Sequence, residues 1–208
     1  MRAVDANNKE RFAIGFGRRA GASVGWSRSA KVSIVSNVAL LVGLVAAWYG
    51  LPAAAPLPYT VHKLLHIVGV VIFMGNLVAG PLWLWLAYLQ GDAALLKWAA
   101  VTLSEADVWL TTPGVQLTMW NGLWLAAAMG GVAGQPWLRE AVVLVVIAAA
   151  LSLGLVLPLQ ERMVARAAAG DRDGTRRAMI GWSVWGSVVM VPFSLVGWLM
   201  VSKASLFS

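Results

Sequence analysis

The chain contains two histidines, His62 and His66, and their spacing raises the first chemical question. Residues four apart share a helix face, so both imidazoles can point at one ligand. An imidazole takes up a proton near neutral pH, accepts a hydrogen bond or ligates a metal. Two ligands do not complete a structural or catalytic metal site, which takes three or four, and the chain has no cysteine to add. No metal centre is expected, and no residue pattern reads as a catalytic constellation. Both histidines project from one side of one rod, so they cannot clamp a haem from opposite faces. A haem b held by His66 alone, or a quinone hydrogen-bonded to it, is the cofactor chemistry left open. Against it stands a plainer reading: two interfacial histidines beside Lys63, whose aliphatic stem snorkels toward the headgroups.

The histidines open the run YTVHKLLHIVGVVIFMGNLVAGPLWLWLAY, Tyr59 to Tyr88, which carries no charge after Lys63. About 20 apolar residues at ~1.5 Å each cross a bilayer core ~30 Å thick, so this run spans with length to spare. On a helix, His62, His66, Gly69, Phe73, Asn76 and Gly80 fall on one polar, small-residue face, through alternating steps of four and three. A second stripe with the same spacing joins Asp107, Thr111, Gly114, Thr118, Asn121 and Leu125. Two such faces in one bundle are expected to pack together. Asn76 and Asn121 are expected to hydrogen-bond across them, a contact worth about 0.6 to 2 kcal/mol in a membrane. His66, His62, Asn76 and Asn121 are therefore the candidate cofactor-lining residues.

The rest of the chain supports a membrane setting. Of its 208 residues 60% are hydrophobic and 12% charged, about half the charge of a soluble domain; the mean hydropathy is +0.74. The formal charge of +7 does not point to nucleic acid, because the basic residues cluster before and between apolar runs, as topology determinants beside anionic lipid do.

The pattern predicts an all-α integral membrane bundle of five transmembrane helices, a four-helix core plus one extra N-terminal span. Residues 1–31 read as a basic cytoplasmic tail on anionic lipid, with 32–51 as the extra span and 59–203 as the four-helix membrane domain. Arg18-Arg19, an apolar run and Ala53-Ala54-Ala55 imitate a twin-arginine export signal, but the pair lies far from the run and Pro56 follows the cut. Gly91–Asp107 reads as a loop with a short surface helix capped by Asp92. The later spans are expected over Val108–Met129, Pro136–Pro158 and Ala178–Val201, with a basic loop at Glu161–Arg177. On this count every Lys and Arg except Lys63, Arg139 and Lys203 falls on one side. The positive-inside rule then puts the N-terminus in the cytoplasm and the C-terminus outside the bacterial inner membrane.

Pro81, Pro113, Pro158 and Pro192 each remove a helix hydrogen bond, freeing the carbonyls of Leu77, Trp109, Gly154 and Val188. Thr111 and Thr112 are placed to help satisfy the freed groups. Most of the twelve tryptophans fall near span ends, as interfacial belts do; Trp120 and Trp124 sit deeper. Gly181, Ser183, Gly186, Ser187, Ala150 and Gly154 supply small surfaces for helix contact.

The run K-L-L-H-I-V-G-V from Lys63, followed by A-D-V-W-L-T-T-P-G-V-Q-L-T-M-W-N-G-L-W-L-A from Ala106, resembles a bacterial family of predicted integral membrane proteins, domain of unknown function 2269. That family typically has four helices, a K-x-L-H start and an A-D-W-x-x-T-x-P-x-x-x-Q-x-x-x-G pattern. Lys63, His66, Asp107, Thr112, Pro113, Gln116 and Gly122 are the matching positions, with the spacing departing in places. The resemblance covers about residues 60 to 203 and implies no activity. More remotely, the K-x-x-H helix is similar to those of HemJ-type protoporphyrinogen oxidases and CopD-like copper-resistance membrane proteins, which implies a haem-ligating role for His66 alone. The leading expectation is a non-enzymatic accessory subunit of a larger inner-membrane respiratory or photosynthetic complex, with other membrane subunits as partners. A haem- or quinone-binding redox protein is the alternative, and a small-molecule permease the third.

Overall fold

The computed structural model describes residues 26–50 and 55–207, and every regular element among them is helical. The N-terminal basic tail, the Arg18-Arg19 pair and most of the small-residue stretch after Leu51 lie outside the described residues. Helix α1 is Arg28–Trp48, α2 Tyr59–Leu89, α3 Ala93–Ala106, α4 Thr112–Ala128, α5 Pro136–Leu151, α6 Leu157–Ala168 and α7 Arg172–Ser202.

The helices begin where the sequence provides caps. Ser27 accepts from the Ala30 amide and Asp92 from those of Ala94 and Leu95, and Asp171 accepts from Gly174, each satisfying an amide that has no partner within its helix. Pro136 stands in the first turn of α5, where a missing N–H costs nothing. Gly170, at φ 73°, makes the tight reversal between α6 and α7 that a side chain would strain.

Two π-helical turns, Asp107–Thr111 and Ser152–Val156, join α3 to α4 and α5 to α6 without a break. Each ends two residues before a proline, Pro113 or Pro158, whose ring would strike the carbonyl four residues back. Widening the turn relieves that clash, so these prolines reshape their rods without ending them.

Continuity corrects three expectations. Gly91–Asp107 is no loop: α3 runs through it because Leu96, Ala99, Ala100 and Leu103 bury against Leu84, Ala87, Met163, Met179 and Trp182. The basic stretch Glu161–Arg177 is also mostly helix, split between α6 and α7 by a short turn. The five-span count is not exact either. Among the described residues four helices are long and apolar enough to cross a membrane, namely Arg28–Trp48, Tyr59–Leu89, Pro136–Ala168 and Arg172–Ser202. The rod Ala93–Ala128 is not among them, since Thr111, Thr112, Gln116, Thr118 and Asn121 dilute its apolar content.

Two apolar clusters hold the ends of the bundle. One joins α2, α3, α6 and α7 around fully buried Leu84, Met163 and Met179. The other joins α1, α4, α5 and α7 through Leu44, Leu123, Trp137, Leu138 and Leu199. Trp137 and Trp182 are thus core residues rather than belt residues, whereas Trp48, Trp83, Trp98, Trp109, Trp185 and Trp198 are exposed.

Candidate functional site

Helices α2 and α4 lie against each other through the two stripes, running in opposite directions. Glycines set the spacing. A Cβ on Gly69 would stand 2.6 Å from the Thr118 amide nitrogen and 2.7 Å from the Gly114 carbonyl oxygen, and one on Gly114 would stand 2.8 Å from the Phe73 nitrogen. The backbones touch, as small residues allow in membrane helix pairs.

At one end of this seam stand the imidazoles. His62 is 2% exposed and so buried within the chain, while Lys63 beside it is exposed. The Asn121 amide donates from Nδ2 to the Leu117 carbonyl at 2.7 Å, which turns Oδ1 toward His62 Nδ1 at 2.8 Å. An oxygen there can only accept, so His62 carries its proton on Nδ1 and presents a bare lone pair on Nε2. That Nε2 is buried and has no hydrogen-bond partner among the described residues. Trp124 stacks on the ring at 5.8 Å between centroids. His66 is fixed the same way, donating from Nδ1 to the Thr118 carbonyl at 2.7 Å, and its ring sits over Gly122, where a Cβ would come within 3.1 Å of Nδ1. Both histidines therefore present Nε2 as an acceptor or ligand atom.

Asn76 is elsewhere. It donates to Thr111 Oγ1 at 2.7 Å and to Asp107 Oδ1 at 3.2 Å. The expected bond between Asn76 and Asn121 does not form, because antiparallel pairing sets Asn121 opposite His62. Along α2 that point lies ~20 Å from Asn76 at ~1.5 Å per residue. The four candidate residues thus divide between two places.

The second place is centred on Asp107. Thr111 donates to its Oδ1 at 2.9 Å and Gln160 to its Oδ2 at 2.6 Å. Trp182 donates to Gln160 Oε1 at 3.1 Å, which fixes the amide with its NH₂ toward the carboxylate. Asp107 itself is partly buried, and the Asn76 and Gln160 bonded to it are 7% and 4% exposed. Sequence reading placed Asp107 on its stripe but gave it no role, and missed Gln160 and Trp182. The available signal was a carboxylate one turn before Thr111 within an otherwise apolar stretch.

Helix α1 closes the flank of α4. Gln116 donates to the Ser36 carbonyl at 3.1 Å and to the Ser36 hydroxyl, and accepts from Trp120 at 2.7 Å. Gly43 lies against the Trp120 ring. Trp120 and Trp124 are thus engaged inside the chain, one by Gln116 and one by His62. Among the described residues no three His, Asp or Glu side chains gather as a metal site would require.

Among curated proteins and among solved structures, nothing matches the chain. A family model described as predicted integral membrane protein (DUF2269) matches residues 60–204. The matched region takes in both polar centres and every helix from α2 to α7, and leaves α1 as an addition docked on Gln116. By that match over more than two thirds of its length, the chain belongs to this family of predicted integral membrane proteins.

Proposed function

We propose that the protein is a non-enzymatic subunit of a larger bacterial inner-membrane assembly, of the respiratory or photosynthetic kind, and that it docks partner helices on its outward small-residue surface. One observation carries this reading. A Cβ on Gly75, Gly154, Gly186 or Gly197 would meet nothing within 4 Å, so the described residues leave these small surfaces unpaired. On α7, Gly186 and Gly197 are joined by Ser187 and Ser194, whose hydroxyls, among the described residues, bond only to their own helix, at the Ser183 and Met190 carbonyls. Small residues and hydroxyls are the surfaces on which membrane helices approach one another. Gly186→Leu with Gly197→Leu is expected to leave the fold intact and release co-purifying subunits in mild detergent. A wild-type chain that isolates alone, or a partner indifferent to both substitutions, overturns the proposal.

The orientation belongs to the same reading. With Ala93–Ala128 counted as a crossing, the Lys and Arg distribution favours a cytoplasmic N-terminus and an external C-terminus. Ser205→Cys, the sole thiol in such a variant, is expected to react with an impermeant reagent in intact cells.

A second reading is supported by the imidazoles: a haem- or quinone-binding redox protein. The Nδ1 bonds of His62 and His66 leave Nε2 ready for an iron or a quinol hydroxyl, and a bound haem would supply one-electron chemistry. A Soret band that disappears in His66→Ala would establish the haem form, and its absence from the pure wild-type chain would remove it.

A further inference from the structure

Asp107 is a carboxylate opposite the middle of α2, and no cation pairs with it among the described residues. Ionisable groups at such depth are rare and costly, and they mark ion or proton paths more often than they serve packing. Its bonded partners are all neutral: Asn76 from α2, Gln160 from α6, and Thr111 from its own rod. From α7 the Trp182 indole reaches the network at one remove, through Gln160. The ionisable groups further out are Glu161, next to Gln160, and the Arg28–Glu105 pair at 3.8 Å, with Arg28 also over the Trp109 ring at 5.7 Å.

A line of hydroxyls runs from Glu161 to Ser104, on the same rod as this carboxylate. Glu161, half-buried at the end of the bundle rich in arginine, accepts from the Ser27 hydroxyl at 2.6 Å. Ser27 Oγ lies 3.0 Å from Ser29 Oγ, and Ser29 Oγ lies 2.6 Å from Ser104 Oγ. With the single Ser27 hydrogen given to Glu161, Ser29 donates to Ser27 and Ser104 to Ser29; once Glu161 is protonated the three hydroxyls can turn the other way, which is the condition for passing a proton inward. Ser29 and Ser104 are 3% and 8% exposed, so the line is shielded from the surroundings. Ser104 precedes Asp107 by three residues on the same rod, which brings their Cβ atoms to about 5–6 Å, a gap that one bridging water covers.

We propose that Asp107 is a proton-binding site within the membrane domain, loaded from one surface through Glu161 and the hydroxyls of Ser27, Ser29 and Ser104. A proton taken by the Glu161 carboxylate passes to Ser27. Each serine oxygen gains one proton as it gives up its own, and the Asp107 carboxylate becomes the acid. The net change is one proton moved, with no other bond made or broken. Gln160, held by Trp182, and Asn76 keep the carboxylate oriented in both forms.

The test uses the full chain in lipid nanodiscs, followed by infrared difference spectroscopy after a pH jump. The wild type is expected to show a carboxylic acid C=O band that moves when aspartate is labelled with ¹³C and is lost in Asp107→Asn. A band indifferent to the aspartate label, or no band in the wild type, overturns the site. Where Asp107→Asn does not fold, Asp107→Glu keeps a carboxyl in the network, and its acid band is expected to persist but no longer move with labelled aspartate; a band that still moves belongs to another aspartate and overturns the site. Ser29→Ala with Ser104→Ala removes both members of one hydrogen bond, a near-neutral change for stability. It is expected to keep the band's full amplitude while slowing its appearance about 100-fold, the lower end of what a positioned proton-transfer group contributes. An unaltered rate overturns the hydroxyl route and leaves Asp107 loaded by another path.

Discussion

The two ends of the α2–α4 seam treat polarity in opposite ways. At the His62 end a buried ring has one nitrogen bonded and the other bare. At the Asp107 end both carboxylate oxygens are bonded, by donors from α2, α6 and its own rod. The physical chemistry accounts for the asymmetry. A neutral buried acceptor left unmet costs about 1–3 kcal/mol, which a folded chain can bear. A bare carboxylate in a low-dielectric interior costs far more, so the fold surrounds Asp107 with fixed dipoles. The bare imidazole nitrogen is a place to receive a donor; the carboxylate already has its donors.

The largest effect is expected between these ends, where the glycines set the distance that both depend on. Gly69→Ala puts a methyl against the Thr118 amide and the Gly114 carbonyl, backbone atoms that cannot rotate away. Overpacking of this kind costs about 1–3 kcal/mol and should lower the unfolding midpoint in a denaturing-detergent titration. Gly75→Ala, on the same helix but in open space, is the control and should not lower it. Equal midpoints for the two would mean that the seam is not close-packed.

Next comes Asp107→Ala, which leaves the Gln160 amide, one Asn76 N–H and the Thr111 hydroxyl without their acceptor. Each buried donor so stranded costs about 1–3 kcal/mol, and Asp107→Asn should recover part of the loss because an acceptor oxygen returns. The same detergent titration reads both variants, and indifference to Asp107→Ala would show that the network holds nothing together. At the imidazole end the stake is smaller. Asn121→Leu removes one membrane hydrogen bond, worth about 0.6–2 kcal/mol. Combining it with His62→Phe should cost less than the two changes summed, since no polar group then remains unpaired. Additive losses would mean that the two side chains are not coupled.

Much of this arrangement was legible in the residues. The stripes from His62 to Gly80 and from Asp107 to Leu125 follow helical periodicity, and they do meet. What periodicity cannot supply is register along the axis. Asn76 and Asn121 lie on the correct faces yet face different partners, because the sliding position is set by where Gly69 and Gly114 let the backbones touch. The π-turns were half visible, since Pro113 and Pro158 mark them, but a proline alone does not say whether a rod ends or bends. Gln160 and Trp182 were hidden because they lie on helices without a polar stripe; only their approach in space reveals them. Ser29 and Ser104 were hidden for the same reason, as isolated serines far apart in the chain.

A second carboxylate, at a turn, sharpens the contrast. Asp171, in the turn between α6 and α7, accepts from the Gly174 amide at 2.8 Å and from Arg166 at 2.9 Å. It has donors as Asp107 has, but in water and beside a cation. The Gly174 amide first, and then Arg166, hold its acidity below the ordinary carboxylate range. A folded-state value lower than the unfolded one means that folding favours the anion. The contribution is therefore complete above the unfolded value and disappears as the pH falls through the depressed folded one. Asp171→Asn should lower the unfolding midpoint slightly at neutral pH, the smallest effect of the series because solvent screens the exposed pair. The two proteins should converge in strong acid, where wild-type Asp171 is also uncharged. A gap that persists unchanged there would show that shape, and not charge, is what the turn requires at this position.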